Sequence, residues 1–510
     1  MSRKHEPDVC LLLEGTYPFV KGGVSSWVHQ LILKLPHLTF TIIHISPKKG
    51  YYDGLVYEMP ENVVGLDEIY LHDYTMPEDG GQEEVREKVE RFRAMVGDMR
   101  EGKIEAFTGF IESLDSGEAG QMNSFDLLQT KESWDVLIET YRKEAVEESF
   151  LNFFWTWRYS YMPLFNVLAA KAPKAGVYHT ISTGYAGLLA AACKVRYGRR
   201  MLLTEHGIYT KERRIEINRA DWIEDWESGE VMAERRAPYF KRFWVRQFQM
   251  MARVNYSFAD EIFTLYEGNK EMQAKDGADP NRVQIVPNGI DLTRFGESGD
   301  AYDARPENDR YTVGFVGRVC PIKDVKTLIY AARLVAEEVP NVLFRVIGPM
   351  DEDPEYADDC QKLIQLLDLE DNVFLEGPAN VLEEYPKLDV LLLTSISEAQ
   401  PLVVLEGGAV GLPCVATDVG SCSELLFGRT AEDQQYGPGG IITPIATPGE
   451  TAEALLTLHR EPETRKAYGM NLRARVTALY DQRDMIAAYR DIYERNLERF
   501  LALATVEDDD

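Results

Sequence analysis

The chain has 510 residues, of which 45% are hydrophobic and 11% aromatic, and this is enough for two or three domains with separate cores. The net charge of −29 argues against nucleic acid as a partner, because phosphate backbones require a basic surface. The six cysteines are scattered without a C-x-x-C pair, and the first apolar run stops at Glu14 after five residues. These features predict a cytoplasmic protein with buried thiols and no signal peptide.

Strand patterns alternate with helical patterns in the first half of the chain. Strands are predicted at 8–14, 40–46, 176–182, 200–207 and 260–266, with helices after the first and third. Mostly helical patterns between about 77 and 175 are interpreted as an insertion in an N-terminal domain that spans 1–295.

The second half repeats this alternation. Strands are predicted at 310–319, 342–349, 372–377, 389–395 and 412–418. The Gly, Asp and Pro content of 296–310 favours a linker, so that a C-terminal domain spans 311–475 and further helices 476–510. This alternation predicts an α/β protein with two parallel sheets, each covered by helices on both faces.

Two loops of the predicted N-terminal domain carry candidate binding groups, because ligands of parallel sheets bind beyond the carboxyl ends of the strands. Gly22 and Gly23 would let a ligand approach the backbone, although glycines are also common in ordinary strand-to-helix loops. His206 lies at the end of the strand predicted at 200–207, where it is either a structural histidine or a functional one. Nothing near it has the spacing of zinc ligands.

Two loops of the C-terminal half carry charged groups. Gly317 and Arg318 end a strand and Lys323 precedes a helix, which would suit a diphosphate unless both bases are merely solvated. Glu398 lies in a strand-to-helix loop, and Glu406 lies one to two turns into the following helix, 401–410. The Glu406 carboxylate could bind two vicinal hydroxyls of a ligand, or it could simply face solvent. The small residues after Glu406 indicate close packing, which favours the ligand role.

These motifs resemble those of the family 4 retaining glycosyltransferases of GT-B fold. The family has a G-R…K phosphate site and a glutamate pair separated by seven residues, as in "GRVCPIKD" and "SEAQPLVVLEGG". The motifs "GGV", "EHG" and "VPNGID" occur in the expected order, and "LLEGTYPFVKGGVSSWVHQL" resembles more narrowly the cytoplasmic glycosyltransferases of Pel exopolysaccharide systems. The chain departs from the family pattern at Ala399 and Asp324, where glycine is frequent.

The resemblance implies two Rossmann-like domains facing across a cleft, with a helical insertion in the first. In the second domain, Arg318 and Lys323 would neutralise the diphosphate of a nucleotide-sugar, Glu406 would bind the ribose and Glu398 the donor sugar. Further donor contacts are implied for Gly317 and for the backbone around Gln400, Pro401 and Leu402. His206 and the Gly22–Gly23 loop would complete the site on domain closure.

The expected activity is that of a hexosyltransferase that uses no metal or other cofactor and retains anomeric configuration. It would move a hexose or N-acetylhexosamine from a UDP-sugar to a growing polysaccharide. The resemblance also implies membrane-embedded Pel components as partners, which would recruit the protein to the inner face of the inner membrane. Two alternatives stay open: another GT-B enzyme, such as a UDP-sugar epimerase or a phosphorylase, and an inactive sugar-nucleotide-binding assembly subunit.

Overall fold

The computed structural model describes residues 6–73, 85–116, 124–219, 239–306 and 310–507. It divides into two compact units, the first comprising Met1–Thr264, Lys270–Gln284 and Tyr489–Asp510, and the second Leu265–Asn269 and Ile285–Ala488. Parts of three predicted segments lie outside the described residues: 77–84 and 117–123 of the insertion, 307–309 of the linker and 508–510 of the C-terminal helices.

The first unit is built on a seven-stranded sheet. Continuous apolar runs such as "VCLLLE" form buried strands, as expected where helices cover both faces of a sheet. The strands are β1 (Val9–Glu14), β2 (Phe40–Ser46), β3 (Val63–Tyr70), β4 (Val177–Thr180), β5 (Arg200–Glu205), β6 (Glu261–Thr264) and β7 (Val283–Ile285). Their order is β3-β2-β1-β4-β5-β6-β7, and the register from β3 to β6 is parallel.

The helices in this part of the chain include five between β3 and β4, where the sequence predicts an insertion. They are α1 (Gly23–Lys34), α2 (Val85–Arg100), α3 (Glu105–Ser116), α4 (Ser124–Gln129), α5 (Lys131–Glu144), α6 (Phe150–Ala169), α7 (Tyr185–Tyr197), α8 (Tyr209–Arg219), α9 (Tyr239–Phe258) and α10 (Glu267–Asp276). The aromatic helix α6 buries Phe153, Trp157 and Tyr161 in the core and exposes Trp155 and Tyr159 on its other face.

The second unit contains a six-stranded parallel sheet with the order β10-β9-β8-β11-β12-β13. Its strands are β8 (Thr312–Val316), β9 (Leu343–Ile347), β10 (Val373–Gly377), β11 (Val390–Leu393), β12 (Cys414–Thr417) and β13 (Gly440–Thr443). Its helices are α11 (Leu292–Ala304), α12 (Val325–Glu338), α13 (Pro354–Leu366), α14 (Val381–Glu384), α15 (Leu402–Val410), α16 (Cys422–Phe427), α17 (Ala431–Gln434), α18 (Pro448–Arg460), α19 (Pro462–Leu479) and α20 (Gln482–Glu507), whose last part belongs to the first unit.

Helix α11 occupies much of the segment 296–310, for which the composition predicts a linker. Asp291 caps its N-terminus and accepts hydrogen bonds from two backbone N–H groups, which offsets the low helix propensity of the segment. A Cβ at Gly299 would lie 3.4 Å from the carbonyl oxygen of Ala409, so the glycine fits a close approach of α11 to α15. Gly299, one of the two glycines that suggest a linker, therefore serves helix packing.

The expectation of buried thiols can be compared directly with the described residues. All six cysteines are free and buried, as their scattered positions predict. In the described part of the chain, every helix is too short or too polar to cross a lipid bilayer.

Candidate active site

The strand order of the second unit reverses between β8 and β11, and the loops that follow these two strands are hydrogen-bonded to each other. The backbone N–H of Ile396 donates to the carbonyl oxygen of Ile322 at 2.9 Å, and Thr394 Oγ1 donates to that of Lys323 at 3.0 Å. Open α/β sheets bind ligands at such a reversal, beyond the carboxyl ends of the strands. The fold thus brings the G-R…K loop and the glutamate loop together where a ligand is expected.

Lys323 and Glu398 form an ion pair at this position. Lys323 Nζ contacts Glu398 Oε1, which also accepts a hydrogen bond from Ser395 Oγ at 2.7 Å. The two charged side chains are only 18% and 12% exposed, so bulk salt screens their attraction weakly. An anion that binds Lys323 must therefore compete with Glu398, and its arrival would leave this carboxylate free to accept hydrogen bonds from hydroxyl groups.

Arg318 is directed differently from Lys323. Its guanidinium is about half exposed and pairs with Glu352, from the acidic stretch "PMDEDPEY". In the same stretch, Asp353 caps α13 by accepting a hydrogen bond from the backbone N–H of Tyr356 at 3.0 Å. Two of these acidic residues thus have structural partners, and the two predicted phosphate-binding cations are held by separate carboxylates.

The backbone at Gly317 lies against the loop that follows β9. The N–H of Gly317 donates to the carbonyl oxygen of Ile347 at 2.9 Å. Gly348 has φ +155°, and a Cβ at this position would overlap the carbonyl oxygen of Gly317, so the contact requires glycine at 348. A Cβ on Gly317 would make ordinary contacts of 3.4 Å with Phe315. The role of Gly317 in donor binding stays a prediction.

Glu406 lies in α15 and is half-buried. Its Oε2 accepts a hydrogen bond from the hydroxyl of Tyr385 at 2.7 Å. Burial raises the pKa of Glu406 above its ordinary value, while the Tyr385 hydrogen bond and the positive charge of Arg294 act in the opposite direction. Glu398 and Glu406 thus have different partners, so they do not form a paired acid and base in this structure.

Two small residues after Glu406 let α15 pack closely on its neighbours. A Cβ at Gly407 would come within 2.9 Å of Leu391, and one at Gly408 within 2.8 Å of Leu472. These approaches agree with the close packing that the sequence indicates around Glu406.

The start of α15 is fixed by the residue before it. Gln400 is buried, and its Oε1 accepts a hydrogen bond from the backbone N–H of Asn288 at 2.7 Å. Pro401 is the N-cap residue and Leu402 the first residue of the helix, so the N-terminus of α15 follows directly after the loop of Glu398. A helix N-terminus at this point favours an anionic ligand.

Gly420 and Ser421 support the glutamate loop and were not singled out in the sequence. Gly420 has φ +56°, and a Cβ at this position would overlap the carbonyl oxygens of Glu398 and Ala399. The backbone N–H of Ser421 donates to the carbonyl oxygen of Ala399 at 2.8 Å. The sequence signal for this contact was a Gly-Ser pair one residue beyond the strand predicted at 412–418, where a loop approaches the sheet edge.

In the first unit, His206 directly follows β5 and is buried. Its ring packs edge-on against Trp27, with the ring centroids 4.7 Å apart. Burial lowers the pKa of His206 to about 4, so the imidazole is neutral at pH 7. A neutral imidazole can accept a proton or donate a hydrogen bond, although its catalytic role stays a prediction.

The loop of Gly22 and Gly23 is exposed. Gly23 begins α1, and a Cβ at either glycine would meet no atom within 4 Å. Packing within the described residues therefore gives no reason for glycine at these two positions. Open space lies next to the backbone here, and ligand binding by this loop stays a prediction.

Two carboxylates near His206 also belong to this edge of the first sheet and were not predicted as functional. Glu14 accepts hydrogen bonds from the backbone N–H of Tyr185 at 2.8 Å and from the hydroxyl of Tyr209 at 2.9 Å. Glu205 is fully buried and accepts bonds from Tyr209 N, Thr183 Oγ1, Gln273 Nε2 and Tyr256 OH. Burial raises the pKa of both carboxyls. Glu205 thereby fixes the turn that carries His206.

Comparison with known proteins separates the two halves of the chain. The family profile described as Domain of unknown function (DUF3492) matches residues 7–281, and the profile Glycosyl transferases group 1 matches residues 302–475.

Curated relatives match part of the chain. The D-inositol 3-phosphate glycosyltransferase of Kineococcus radiotolerans is 32% identical over 205 residues, which are 38% of this chain and 47% of that protein. The N-acetyl-alpha-D-glucosaminyl L-malate synthase of Bacillus anthracis is 26% identical over 254 residues, 49% of this chain and 61% of that protein. The chain thus spans about half the length of these relatives.

Solved structures match nearly the whole chain. HepE of Anabaena, determined in complex with UDP, has a TM-score of 0.59 at 12% identity and covers 96% of this chain and 99% of its own. Sucrose-phosphate synthase of Thermosynechococcus elongatus has a TM-score of 0.55 at 15% identity, covering 96% and 98%. These similarities and the two parallel sheets establish the GT-B fold. Because the DUF3492 profile matches more than half of its residues, the chain belongs to the DUF3492 family, with a group 1 glycosyl transferase region in its second half.

Proposed function

We propose that this protein is a retaining, metal-independent glycosyltransferase. It transfers a hexose or N-acetylhexosamine from a UDP-sugar to a growing exopolysaccharide of the Pel type, in the manner of PelF. The observation that carries the proposal is the Lys323–Glu398 pair at the strand-order reversal of the second sheet, within the region that matches group 1 glycosyl transferases. The complexes of HepE with UDP and UDP-glucose support the choice of a UDP-sugar as donor.

In the proposed reaction, the diphosphate of the donor displaces Glu398 from Lys323 and Glu352 from Arg318. The two cations then stabilise the negative charge that develops on the leaving UDP. Glu398, released from its ion pair, accepts hydrogen bonds from hydroxyls of the donor sugar. The contacts of Glu398 with Lys323 and Ser395 are thus exchanged for substrate contacts when the donor binds.

Glu406 holds the ribose in this proposal. One of its oxygens is occupied by the hydroxyl of Tyr385, so the other remains to accept hydrogen bonds from ribose hydroxyls. The backbone at the start of α15, next to Gln400, Pro401 and Leu402, contacts the phosphates. Gly317 lets the nucleotide approach the end of β8.

The first unit supplies the groups next to the acceptor. The Gly22–Gly23 loop gives backbone access, and the neutral imidazole of His206 hydrogen-bonds the acceptor or the donor sugar. The leaving phosphate removes the proton from the acceptor hydroxyl in a front-face attack, and this keeps the anomeric configuration.

The proposal is tested by transfer from UDP-hexoses and UDP-N-acetylhexosamines to oligosaccharide acceptors, with the product anomer assigned by NMR. We expect Glu398→Ala, Arg318→Ala and Lys323→Ala each to abolish nearly all transfer, whereas the exposed Asp351→Ala retains it. Full activity of Arg318→Ala or strict dependence on manganese would contradict the mechanism.

Two other results would replace the proposal. Conversion of the UDP-sugar without an acceptor would identify an epimerase. UDP binding without transfer or hydrolysis would identify an assembly subunit. A thermal-shift series with UDP, GDP and ADP tests the nucleotide separately, and binding to Pel membrane components tests the partner.

A further inference from the structure

A cavity of about 200 Å³ lies in the second unit, among α16, α17 and the end of α19. All of its lining residues belong to this unit. Six of them are buried: Leu265, Tyr266, Gln400, Ser421, Asp433 and Tyr480. Pockets for drug-sized ligands are larger, roughly 300–1,000 Å³, so this cavity suits a molecule with a single small ring.

Four of the buried side chains carry polar atoms that the fold does not use. Within the described residues, the hydroxyls of Tyr266, Tyr480 and Ser421 have no hydrogen-bond partner. Gln400 accepts a hydrogen bond from the backbone N–H of Asn288 through Oε1, which leaves its Nε2 as a donor. Each of the four residues is at most 9% exposed, and polar groups buried this deeply are nearly always hydrogen-bonded. These atoms therefore indicate a ligand in the cavity.

The two phenols are neutral hydroxyl groups at pH 7. Burial, and then the charge of Glu424, raises the pKa of Tyr266 to about 12. Burial also raises the pKa of Tyr480, with smaller contributions from the charges of Asp433 and Glu424. Each phenol keeps its proton, so it can both donate and accept a hydrogen bond, as the hydroxyl of Ser421 can. A ligand with hydroxyl groups of its own matches these partners, because it also both donates and accepts.

The carboxylates that line the cavity argue against a charged ligand. Asp433 pairs with Arg475 at 2.6 Å, and Glu424 accepts a hydrogen bond from the backbone N–H of Glu267 at 3.1 Å. The third carboxylate, Glu432, is exposed, where its attraction for a cation is weak. Among the described lining residues, one arginine accompanies these three carboxylates, so the wall does not favour an anion. A neutral ligand fits best.

Apolar groups complete the wall. Leu265 is buried, and Ile285, Pro287 and Leu479 also line the cavity. Hydroxyl partners beside apolar surface fit a sugar ring, which carries hydroxyls at its edge and C–H groups on its faces. We propose that this cavity binds a single neutral sugar ring, either a free hexose or one residue of a glycan. The site goes beyond the proposed transferase activity, because of its four polar residues only Gln400 is among the predicted donor contacts, and there through its backbone.

The test is saturation-transfer difference NMR with glucose, galactose and mannose titrated into the protein. We expect at least one of them to bind, and Tyr266→Phe, Tyr480→Phe and Ser421→Ala each to weaken that binding about three- to ten-fold, since each removes one hydrogen bond. Tyr468→Phe is the matched control, because its hydroxyl also lacks a hydrogen-bond partner in the described part of the chain but does not line the cavity. Glu398→Ala should leave the binding unchanged, because it removes the proposed donor-sugar contact and not the cavity.

Thermal unfolding checks that each variant is folded. Tyr480→Phe should unfold at no lower temperature than the parent, because the hydroxyl that it removes has no partner in the described residues. Absence of binding by all three hexoses, equal binding by the parent and both tyrosine variants, or loss of binding in Glu398→Ala overturns the proposal. Tighter binding of glucose 1-phosphate than of glucose, with the same dependence on the tyrosines, overturns the assignment to a neutral sugar. Tighter binding of maltotriose than of glucose would support a glycan residue as the occupant, and weaker binding would support a free hexose.

Discussion

The proposed competition between Glu398 and a diphosphate for Lys323 can be measured directly. Glu398→Gln keeps the size of the side chain but removes the charge that Lys323 pairs with. A hydrogen bond between charged groups contributes about 1.5–3 kcal/mol, and because both side chains retain some exposure we take about 1.5 kcal/mol as the free energy needed to displace Glu398. Since 1.4 kcal/mol corresponds to a factor of about ten, Glu398→Gln should bind UDP about ten-fold more tightly than the parent while losing transfer.

Titration calorimetry of UDP into four proteins gives the answer: the parent, Glu398→Gln, Lys323→Gln and the double variant. Lys323→Gln should weaken UDP binding by about ten-fold or more, since it removes the proposed contact to phosphate. The double variant should resemble Lys323→Gln alone, because Glu398 affects UDP only through Lys323. Glu352→Gln is the control, since its exposed pair with Arg318 predicts a change below about five-fold. Weaker UDP binding by Glu398→Gln, or additive effects in the double variant, would refute this reasoning.

Three further predictions follow from the site geometry. Burial raises the pKa of Glu406, so this carboxylate takes up a proton at a higher pH than an ordinary glutamate does when the pH is lowered. UDP affinity should therefore begin to fall at a pH above the ordinary glutamate range. Calorimetry across pH measures this fall, and Glu406→Gln should remove the pH dependence. Gly420→Ala should destabilise the protein by about 1–3 kcal/mol in urea unfolding, because the new Cβ would overlap the carbonyl oxygen of Ala399 and the backbone is left-handed. The control is Gly97→Ala in α2, which has open space around it and should stabilise the protein by about 1 kcal/mol. Equal effects of the two substitutions would argue against the overlap. Burial lowers the pKa of His206 from 6.5 to about 4 in the folded protein, so between these pH values only the unfolded chain takes up a proton. The free energy of unfolding should therefore fall by up to about 3 kcal/mol as the pH drops from 6.5 to 4. In urea unfolding, His206→Asn should show a shallower fall, and an unchanged pH profile would contradict the buried, neutral imidazole.

The central strands and the helix of the glutamate motif could be predicted from the sequence because their signals are local. The apolar run at 8–14 became β1, Val9–Glu14, and the helix expected at 401–410 became α15, Leu402–Val410, ended by Gly411 with φ +101°. Both signals depend on residues within one element, and both elements are buried in the middle of a sheet or against it. Local patterns are most reliable in such positions.

Two edge strands, β3 and β13, were missed because their sequences lack that pattern, whereas the edge strand β10 was predicted at 372–377. β3 contains Gly65, Asp67 and Glu68 and is only partly buried, whereas β13 has four residues in a glycine-rich stretch. Each lies at the edge of its sheet, so one side needs no apolar neighbour. Hydrogen bonding to the neighbouring strand determines that these segments become strands more than their own β-propensity does.

The contacts inside the candidate site could not be predicted from spacing. Lys323 and Glu398 are 75 residues apart, and their pairing depends on β8 and β11 being neighbours in the sheet. Glu406 was predicted near Glu398 from its helical position, but its partner Tyr385 comes from a short 3-10 turn before β11. The residue types indicated the chemistry, and the strand order determined which of them meet.

The two departures from the family pattern differ in their structural consequence. Asp324 has φ 47°, a left-handed conformation that glycine adopts easily and aspartate tolerates better than most residues. Its carboxylate accepts a hydrogen bond from Thr327 Oγ1 at 2.6 Å and caps α12, so Asp324 and the family's glycine satisfy the same backbone requirement. Ala399 has no such compensation, because it adds a methyl group directly after Glu398 in a loop whose backbone Ser421 and Gly420 hold in place. We therefore expect Ala399, rather than Asp324, to influence which donor sugar the site accepts.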